Sequence, residues 1–393
     1  MTHRLEHPSS AGPVDAVARR CLKLPGHRKI HGNTSEQRQR LVFLPMLPLS
    51  LARHPVRLSI RSGHMATNFV VEAKDVSAAA RRLTGQAVRT PLLSCAALDA
   101  LTGGRILLKA ENLQIGGAFK FRGAYNRLVQ LDAREREAGV VAWSSGNHAQ
   151  GIAAAGTRLG VRTTVIMPAD APAIKVENAK RLGAEIVLYD RQTQSREVIG
   201  HRMSIERGAT LVPSYDDPHI IAGQGTVGLE IVEQSTALVG TAPAVVLVPC
   251  GGGGLIAGCA LAIASASPST RVYSVEPTGY DDTARSLTAG RRVEARRGAR
   301  TICDALLAPT PGELTFPINN RLLAGGFAVT DQMVLAACAF AWRELKLVVE
   351  PGGAVALAAA LHGVVDCSNR TVAIVLSGGN ADPDVHRRVL EIA

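Results

Sequence analysis

The sequence predicts an α/β fold in which parallel sheet is covered by helices on both faces. Three observations predict it. After Met65, short apolar runs rich in Val and Ile alternate with helix-patterned segments, the order that parallel strands and crossover helices require. Several of these runs end in loops dense in Gly, Ser and Asn that open the next helix. Composition agrees: 393 residues with 46% apolar, 20% charged and only 4% aromatic describe a globular chain and exclude wholesale disorder.

In chain order, Asp75 is placed to cap a helix that runs to Leu83 and closes at Gly85. Strands are read at 106–109, 140–143, 163–167, 186–188, 244–248, 272–275 and 372–376. The helical run 149–159 follows the Ser-Ser-Gly-Asn that ends the second of them. No internal repeat or low-complexity tract appears after Met65.

Charge is distributed unevenly. Residues 1–64 hold eleven Lys and Arg against three acids, a net +8 of the chain's +11, together with six of its eleven histidines. This stretch has no sustained apolar period, and its most apolar part, 41–52, is broken by Pro45 and Pro48 and too short to span a bilayer. Two readings stand: a start codon assigned upstream of Met65 or a merely solvated, disordered tail on one side, and on the other an Arg-rich leader of the kind that targets organelles. Cytoplasmic location is the expectation, with organellar targeting as the second reading. No aromatic or Gly-rich RNA-binding pattern accompanies the charge, so neither a nucleic-acid nor a membrane partner is expected. Seven scattered cysteines, none in CxxC spacing, read as small buried apolar residues.

Ligands of open parallel sheets bind beyond the carboxyl ends of the strands, so the chemistry is sought in the loops there. Four are unusual. The run 248–258 carries Gly251, Gly252, Gly253 and Gly254 between a strand and a helix. Four glycines cost much chain entropy, and they let backbone N–H groups approach an anion at a helix N-terminus. The GxxxxGK[ST] pattern of a nucleotide P-loop is missing and a dinucleotide fingerprint fits poorly, so a single phosphate is the reading, against a packing turn. The second loop, 116–124, places Lys120 between Phe119 and Phe121 at a helix start, where apolar walls lower an amine's pKa and suit it to Schiff-base chemistry. The third, 144–151, offers Ser144, Ser145, Asn147 and His148 at a helix start, as a carboxylate cradle or as an N-cap by Ser145 or Asn147. In the fourth, Ser377 follows the last strand, to serve a heterocyclic nitrogen or to cap the final helix.

In sequence and order, these loops resemble those of the fold-type-II pyridoxal-phosphate enzymes, whose fold is like that of the tryptophan synthase β chain. Within that family the chain is most similar to the short, catabolic-type serine/threonine dehydratases (ammonia-lyases) and to serine racemases. The resemblance runs from Arg89-Thr-Pro-Leu92 to Asn380 and includes Glu111-Asn-Leu-Gln114, residues 216–226, Val275-Glu-Pro277 and Glu350-Pro-Gly-Gly353. It implies two parallel-sheet α/β subdomains with pyridoxal 5'-phosphate in the cleft: a large one of 65–139 plus 216–393, and a small mobile one of 140–215. It further implies no C-terminal regulatory domain, since 13 residues follow Asn380.

Carried over position by position, the resemblance makes Lys120 the lysine that carries the cofactor and moves the substrate's Cα proton. Phe119 packs beside the ring, and Asn147 bonds its hydroxyl. Gly251 to Gly254 with Leu255 hold the phosphate, and Ser377 meets the pyridine nitrogen. A neutral Ser there, in place of an acid, weakens the electron sink and biases the chemistry towards β-elimination. Ser144, Ser145, Asn147 and His148 cradle the substrate carboxylate, with Ser145 the candidate second acid–base. Arg196 matches an arginine that approaches the substrate in the racemase branch, or is an exposed helix arginine. Glu276, Asp282 and the carbonyl of Tyr280 match that branch's site for Mg²⁺ or Ca²⁺, or are a solvated loop pair. The chain departs from the family pattern at Ala118, where a serine hydroxyl is usual.

The implied reaction is loss of water from L-threonine or L-serine to give 2-oxobutanoate or pyruvate and ammonia. Racemisation, and dehydration of 3-hydroxyaspartate, are the alternatives on the same scaffold. A homodimer or homotetramer is expected. A nicotinamide-dependent dehydrogenase would leave the Lys120 and Asn147 loops unexplained, and a basic-tail binder would lose its function on deletion of residues 1–64.

Overall fold

The computed structural model describes residues 71–171 and 173–393. The basic segment 1–64 and its two readings lie outside the described residues.

Ten strands follow one another along the described chain: β1 (Leu92–Ser94), β2 (Arg105–Ala110), β3 (Val140–Trp143), β4 (Thr163–Pro168), β5 (Glu185–Tyr189), β6 (Thr210–Leu211), β7 (Val245–Pro249), β8 (Arg271–Pro277), β9 (Gly325–Val329) and β10 (Thr371–Leu376). They form two sheets, one of six strands in the order β1-β2-β10-β7-β8-β9 and one of four in the order β5-β4-β3-β6. All neighbours are parallel except β1, which runs antiparallel along β2. The four-stranded sheet draws every strand from residues 140 to 211.

The strands read as continuous apolar runs because both faces of the six-stranded sheet are covered. Ile106, Leu108, Val245, Leu247, Ile374 and Leu376 face one way, onto helices Pro351–Leu361 and Asp331–Phe340. Leu107, Val246, Val248, Ala373 and Val375 face the other, onto Ile256, Cys259 and Ile263 of helix Gly254–Ala266 and Val227 and Ile231 of helix Pro218–Val239. Alternation with period two puts successive side chains on opposite faces, and each large one fully buried contributes about 1.5–3 kcal/mol. The six described cysteines are all buried and unpaired, in keeping with their reading as apolar residues.

Both sheets contain a point where the strand order reverses. In the large sheet β7, β8 and β9 step outward on one side of β7, and β10 returns to its other side. In the small sheet β3, β4 and β5 step outward, and β6 returns beside β3. Helices leave on opposite faces at such points, which opens a crevice at the carboxyl ends. The loops flanking the two crevices are those after β7 and β10, and those after β3 and β6.

Local details differ from the sequence expectation. Glu72, not Asp75, is the N-cap of helix Ala73–Leu83; Asp75 sits at the third helical position and accepts the Glu72 N–H at 2.9 Å, one half of a capping box. Three strands carry too little pattern to be read. β1 is a three-residue edge, β6 has two residues, and β9 begins with Gly325-Gly326, whose conformational freedom disguises a strand.

Candidate active site

A pocket of about 470 Å³ lies where the two crevices face each other, and its lining comes from all four flanking loops. It is large enough for a cofactor-sized ligand.

Lys120 begins helix Lys120–Leu128, directly after Phe119. Its ammonium donates to the carbonyl of Ser214 at 2.6 Å and lies 5.0 Å from the centre of the Phe119 ring. Burial lowers its pKa to about 8, because a low-dielectric wall disfavours the charged form. The helix is aimed by its next turn. Arg122, buried, donates from Nε and Nη2 to both oxygens of Glu111 at 2.8 Å and from Nη1 to Glu230 at 2.6 Å. Lys109 reaches the same Glu230 at 2.5 Å and the Thr90 carbonyl at 2.7 Å. A buried guanidinium held by two carboxylates thus fixes the backbone two residues from the amine.

The glycine loop after β7 opens helix Gly254–Ala266, and Gly251 to Gly254 and the buried Leu255 line the pocket at that helix start. Gly253 has φ +93°, a left-handed conformation that disfavours a side chain. A Cβ on Gly252 would lie 2.4 Å from the ring of Tyr215, which packs against the loop. The packing reading holds in part: the glycines admit Tyr215 on one side, and the same loop lines the pocket at a helix start, where a phosphate could be held. Tyr215 and Ser214, in the loop after β6, were not among the expected site residues. A two-residue strand gives no pattern to mark the loop that follows it. Their one pointer in the sequence was a place just ahead of the segment 216–226.

After β3, Ser144, Ser145, Gly146, Asn147 and His148 line the pocket. Helix Asn147–Leu159 starts two residues earlier than its apolar period suggests. Its N-cap is Gly146, without a side-chain cap, which overturns capping by Ser145 or Asn147, and its first turn lines the cavity. Ser144 Oγ accepts the Gly146 N–H at 3.2 Å. His148 is buried: one ring nitrogen, Nε2, is 3.0 Å from the Val212 carbonyl, and Nδ1 has no partner. Burial, then the charge of Lys120, pushes its pKa down to about 3, so the ring is neutral and offers no cationic clamp for a carboxylate.

Asn147 is locked by residues more than 200 positions away. Its Nδ2 donates to Glu350 Oε1 at 2.5 Å, and its Oδ1 accepts from Asn380 Nδ2 at 2.8 Å. One N–H of the amide is left for a ligand oxygen. Glu350, marked in the sequence only as part of a supporting segment, is a buried carboxyl in the pocket wall, its pKa raised to about 7 by burial. Ser377 lines the pocket just beyond the end of β10 and is buried. The final helix is capped by Asp382, which accepts the Asp384 N–H at 2.9 Å, so Ser377 is free of that duty. Arg196 stands at the rim, half exposed, with Nε donating to Glu197 at 2.8 Å. Ala118 is buried beside the pocket, pairing with Gly378 in an isolated bridge.

Glu276 and Asp282 lie outside this pocket. Both are buried, so the solvated-pair reading is overturned. Glu276 accepts the N–H groups of Thr283 and Ala284 at 2.8 Å, whereas Asp282 Oδ2 has no partner. Burial raises Glu276 well above the carboxylate range and Asp282 to about 7. Among the described residues, no three His, Cys, Asp or Glu side chains gather as a metal-ligand group. Two carboxylates with the Tyr280 carbonyl are nonetheless hard oxygen donors of the kind Mg²⁺ and Ca²⁺ take, and Asp282 has an unused one.

The pocket fits pyridoxal phosphate on its own chemistry: a desolvated amine, a glycine-rich helix start, a locked amide and a buried hydroxyl line one cavity. Known proteins point the same way. The profile of the family described as "Pyridoxal-phosphate dependent enzyme" matches residues 83–378. An L-threo-3-hydroxyaspartate ammonia-lyase of Pseudomonas sp is 42% identical over 81% of this chain and 98% of its own length. A serine racemase of Oryza sativa subsp. indica is 37% identical, over 81% of this chain and 94% of its own. The crystal structure of a threonine deaminase from T.th. superposes with a TM-score of 0.73 at 44% identity, covering 79% of this chain and 98% of that one.

Proposed function

Since the chain belongs to the pyridoxal-phosphate-dependent enzymes, we propose that it removes water from L-3-hydroxy amino acids, releasing a 2-oxo acid and ammonia. The observation that carries this reading is Lys120: an amine desolvated to a pKa of about 8, facing a cavity with an anion site and a neutral hydroxyl.

Bound pyridoxal phosphate supplies an electron sink for the charge left when a Cα–H bond ionises. The chain's own residues do the rest. The N–H groups after Gly253 hold the phosphate at a helix N-terminus. Asn147, fixed by Glu350 and Asn380, gives its remaining N–H to the ring oxygen. Ser377 offers a hydroxyl to the ring nitrogen. The first turn of helix Asn147–Leu159 receives the substrate carboxylate, with Ser144 and Ser145 beside it. Lys120 Nζ takes the Cα proton, which a neutral amine in an apolar wall can do near pH 8. Loss of hydroxide from Cβ then completes the elimination, and the enamine released hydrolyses in water. Glu276, Asp282 and the Tyr280 carbonyl would hold a divalent cation away from the chemistry, as a structural site.

L-Threonine and L-serine are the substrates proposed first. One observation favours a second reading, 3-hydroxyaspartate: Arg196 lines the pocket, and its guanidinium suits a distal carboxylate. The test is 2-oxo acid release from L-threonine, L-serine and L-threo-3-hydroxyaspartate by the cofactor-loaded protein. Release that is lost in Lys120→Ala supports the proposal and ranks the substrates. Absence of release from all three overturns it.

A further inference from the structure

Besides the Asn147 contacts at the floor of the pocket, one ion pair crosses its mouth. Lys175 belongs to helix Ala173–Arg181, between β4 and β5 of the four-stranded sheet. Asp304 opens the short helix Asp304–Leu306, which packs with the six-stranded sheet. Lys175 Nζ and the Asp304 carboxylate form a salt bridge, and both residues line the cavity.

The two ends are anchored unequally. The Asp304 side is fixed against the cofactor loop: a Cβ on Gly251 would lie 3.3 Å from Leu306 Cα, and one on Gly352 3.0 Å from Ala305 Cβ. On the other side, helix Ala173–Arg181 fully buries only Ala179. Apolar packing holds that helix weakly, so a contact at its first turn has leverage over where it sits. The pair is also poised between wet and dry, with 14% of the Lys175 side chain exposed against 50% of Asp304. Salt reaches the pair from the Asp304 side, whereas the mostly buried Lys175 would lose its counter-charge if the pair broke without the helix moving outward.

We propose that Lys175 and Asp304 are positioning residues for the reaction: a clasp that holds the small-sheet wall against the cofactor loop while the pocket is loaded. The pair makes no hydrogen bond to the amine or the cradle, and its two charges act on Glu350 with opposite signs, so its loss is expected to loosen the closed state more than to change the chemistry. The activity arm of this inference rests on the lyase reading above; the cofactor arm does not.

The experiment compares cofactor-loaded wild type with Lys175→Met, Asp304→Asn and the exchanged double variant Lys175→Asp/Asp304→Lys. The rate of pyridoxal-phosphate release on dilution is followed by absorbance, together with KM and kcat. Each single variant is expected to release cofactor about fivefold faster and to raise KM by a similar factor, with kcat nearly unchanged. Salt at about 0.5 M, which screens a half-exposed pair, should move wild type towards the single variants and leave those variants where they are. The exchanged pair should recover most of the loss. Single variants that behave as wild type overturn the clasp, as does an exchanged pair no better than the singles. A fall in kcat alone would assign Lys175 to the chemistry and overturn it too. If wild type turns over no amino acid, the lyase reading falls while cofactor release still decides the clasp.

Discussion

At the scale of single residues, burial sets the chemistry of this pocket. The Lys120 ammonium meets a carbonyl and a ring rather than a carboxylate, so desolvation lowers its pKa to about 8. An amine attacks a carbonyl only when unprotonated. Capture of pyridoxal phosphate by the cofactor-free protein is therefore expected to speed up with pH, with its midpoint near 8, and to level off above about pH 9. A rate still climbing past about pH 10, the ordinary lysine range, would show a solvated amine instead. Glu350 acts on the same site through Asn147. Replacing it by Ala leaves a buried amide hydrogen unsatisfied, a cost of about 1–3 kcal/mol. Glu350→Ala is thus expected to weaken cofactor affinity roughly tenfold, and Glu350→Gln much less, since its side-chain oxygen can still accept from Asn147. Fluorescence titration of the cofactor would read both; equal affinities would detach Glu350 from the site.

At the scale of elements, helices carry the functional groups, and buried polar contacts decide where the helices start. Helix Lys120–Leu128 is pinned by Arg122 to Glu111 and Glu230, which sit on other elements. Removing the guanidinium leaves two buried carboxylates without their main cation, a loss of about 3–5 kcal/mol by analogy with other broken buried pairs. Arg122→Met should accordingly lower the urea midpoint sharply, and it should weaken cofactor binding even where the protein is folded. A variant as stable as wild type would show the network to be dispensable. The segments 89–92 and 111–114, which the sequence marks only by resemblance, gather around this cluster: Thr90 Oγ1 donates to Glu111 at 2.5 Å. Their role is to aim the lysine.

At the scale of the molecule, the buried pair Glu276–Asp282 links pH to stability. Their folded pKa values lie above the ordinary carboxylate range, Asp282 at about 7. Between the unfolded and folded values the folded chain binds more protons than the unfolded one, so stability falls as pH rises through that window. The folded protein without divalent ions should then melt lower at about pH 8 than at about pH 5.5. Added Mg²⁺ or Ca²⁺ should recover more at the higher pH, where the carboxylates are already driven to ionise. A recovery that is equal at both pH values, or none in wild type, would sink the cation site; Asp282→Asn should abolish the effect.

Much of this was legible in the sequence because it is local. The period-two burial of 106–108, 245–248 and 372–376 reports which strands are covered on both faces, and Gly, Ser or Asn at a strand end reports a loop that lines the pocket. A lysine between two phenylalanines already announces a desolvated amine. What no window of sequence holds is which loops are neighbours. Asn147 meets Glu350 and Asn380, Arg122 meets Glu230, and Lys175 meets Asp304, each across more than 100 residues. Those meetings follow from strand order, β10 returning beside β7 and β6 beside β3. Periodicity encodes which face of a strand is buried, whereas the identity of its neighbour is decided when whole sheets pack. The sequence by itself determined the chemical groups, and only the tertiary structure decided that they share one cavity.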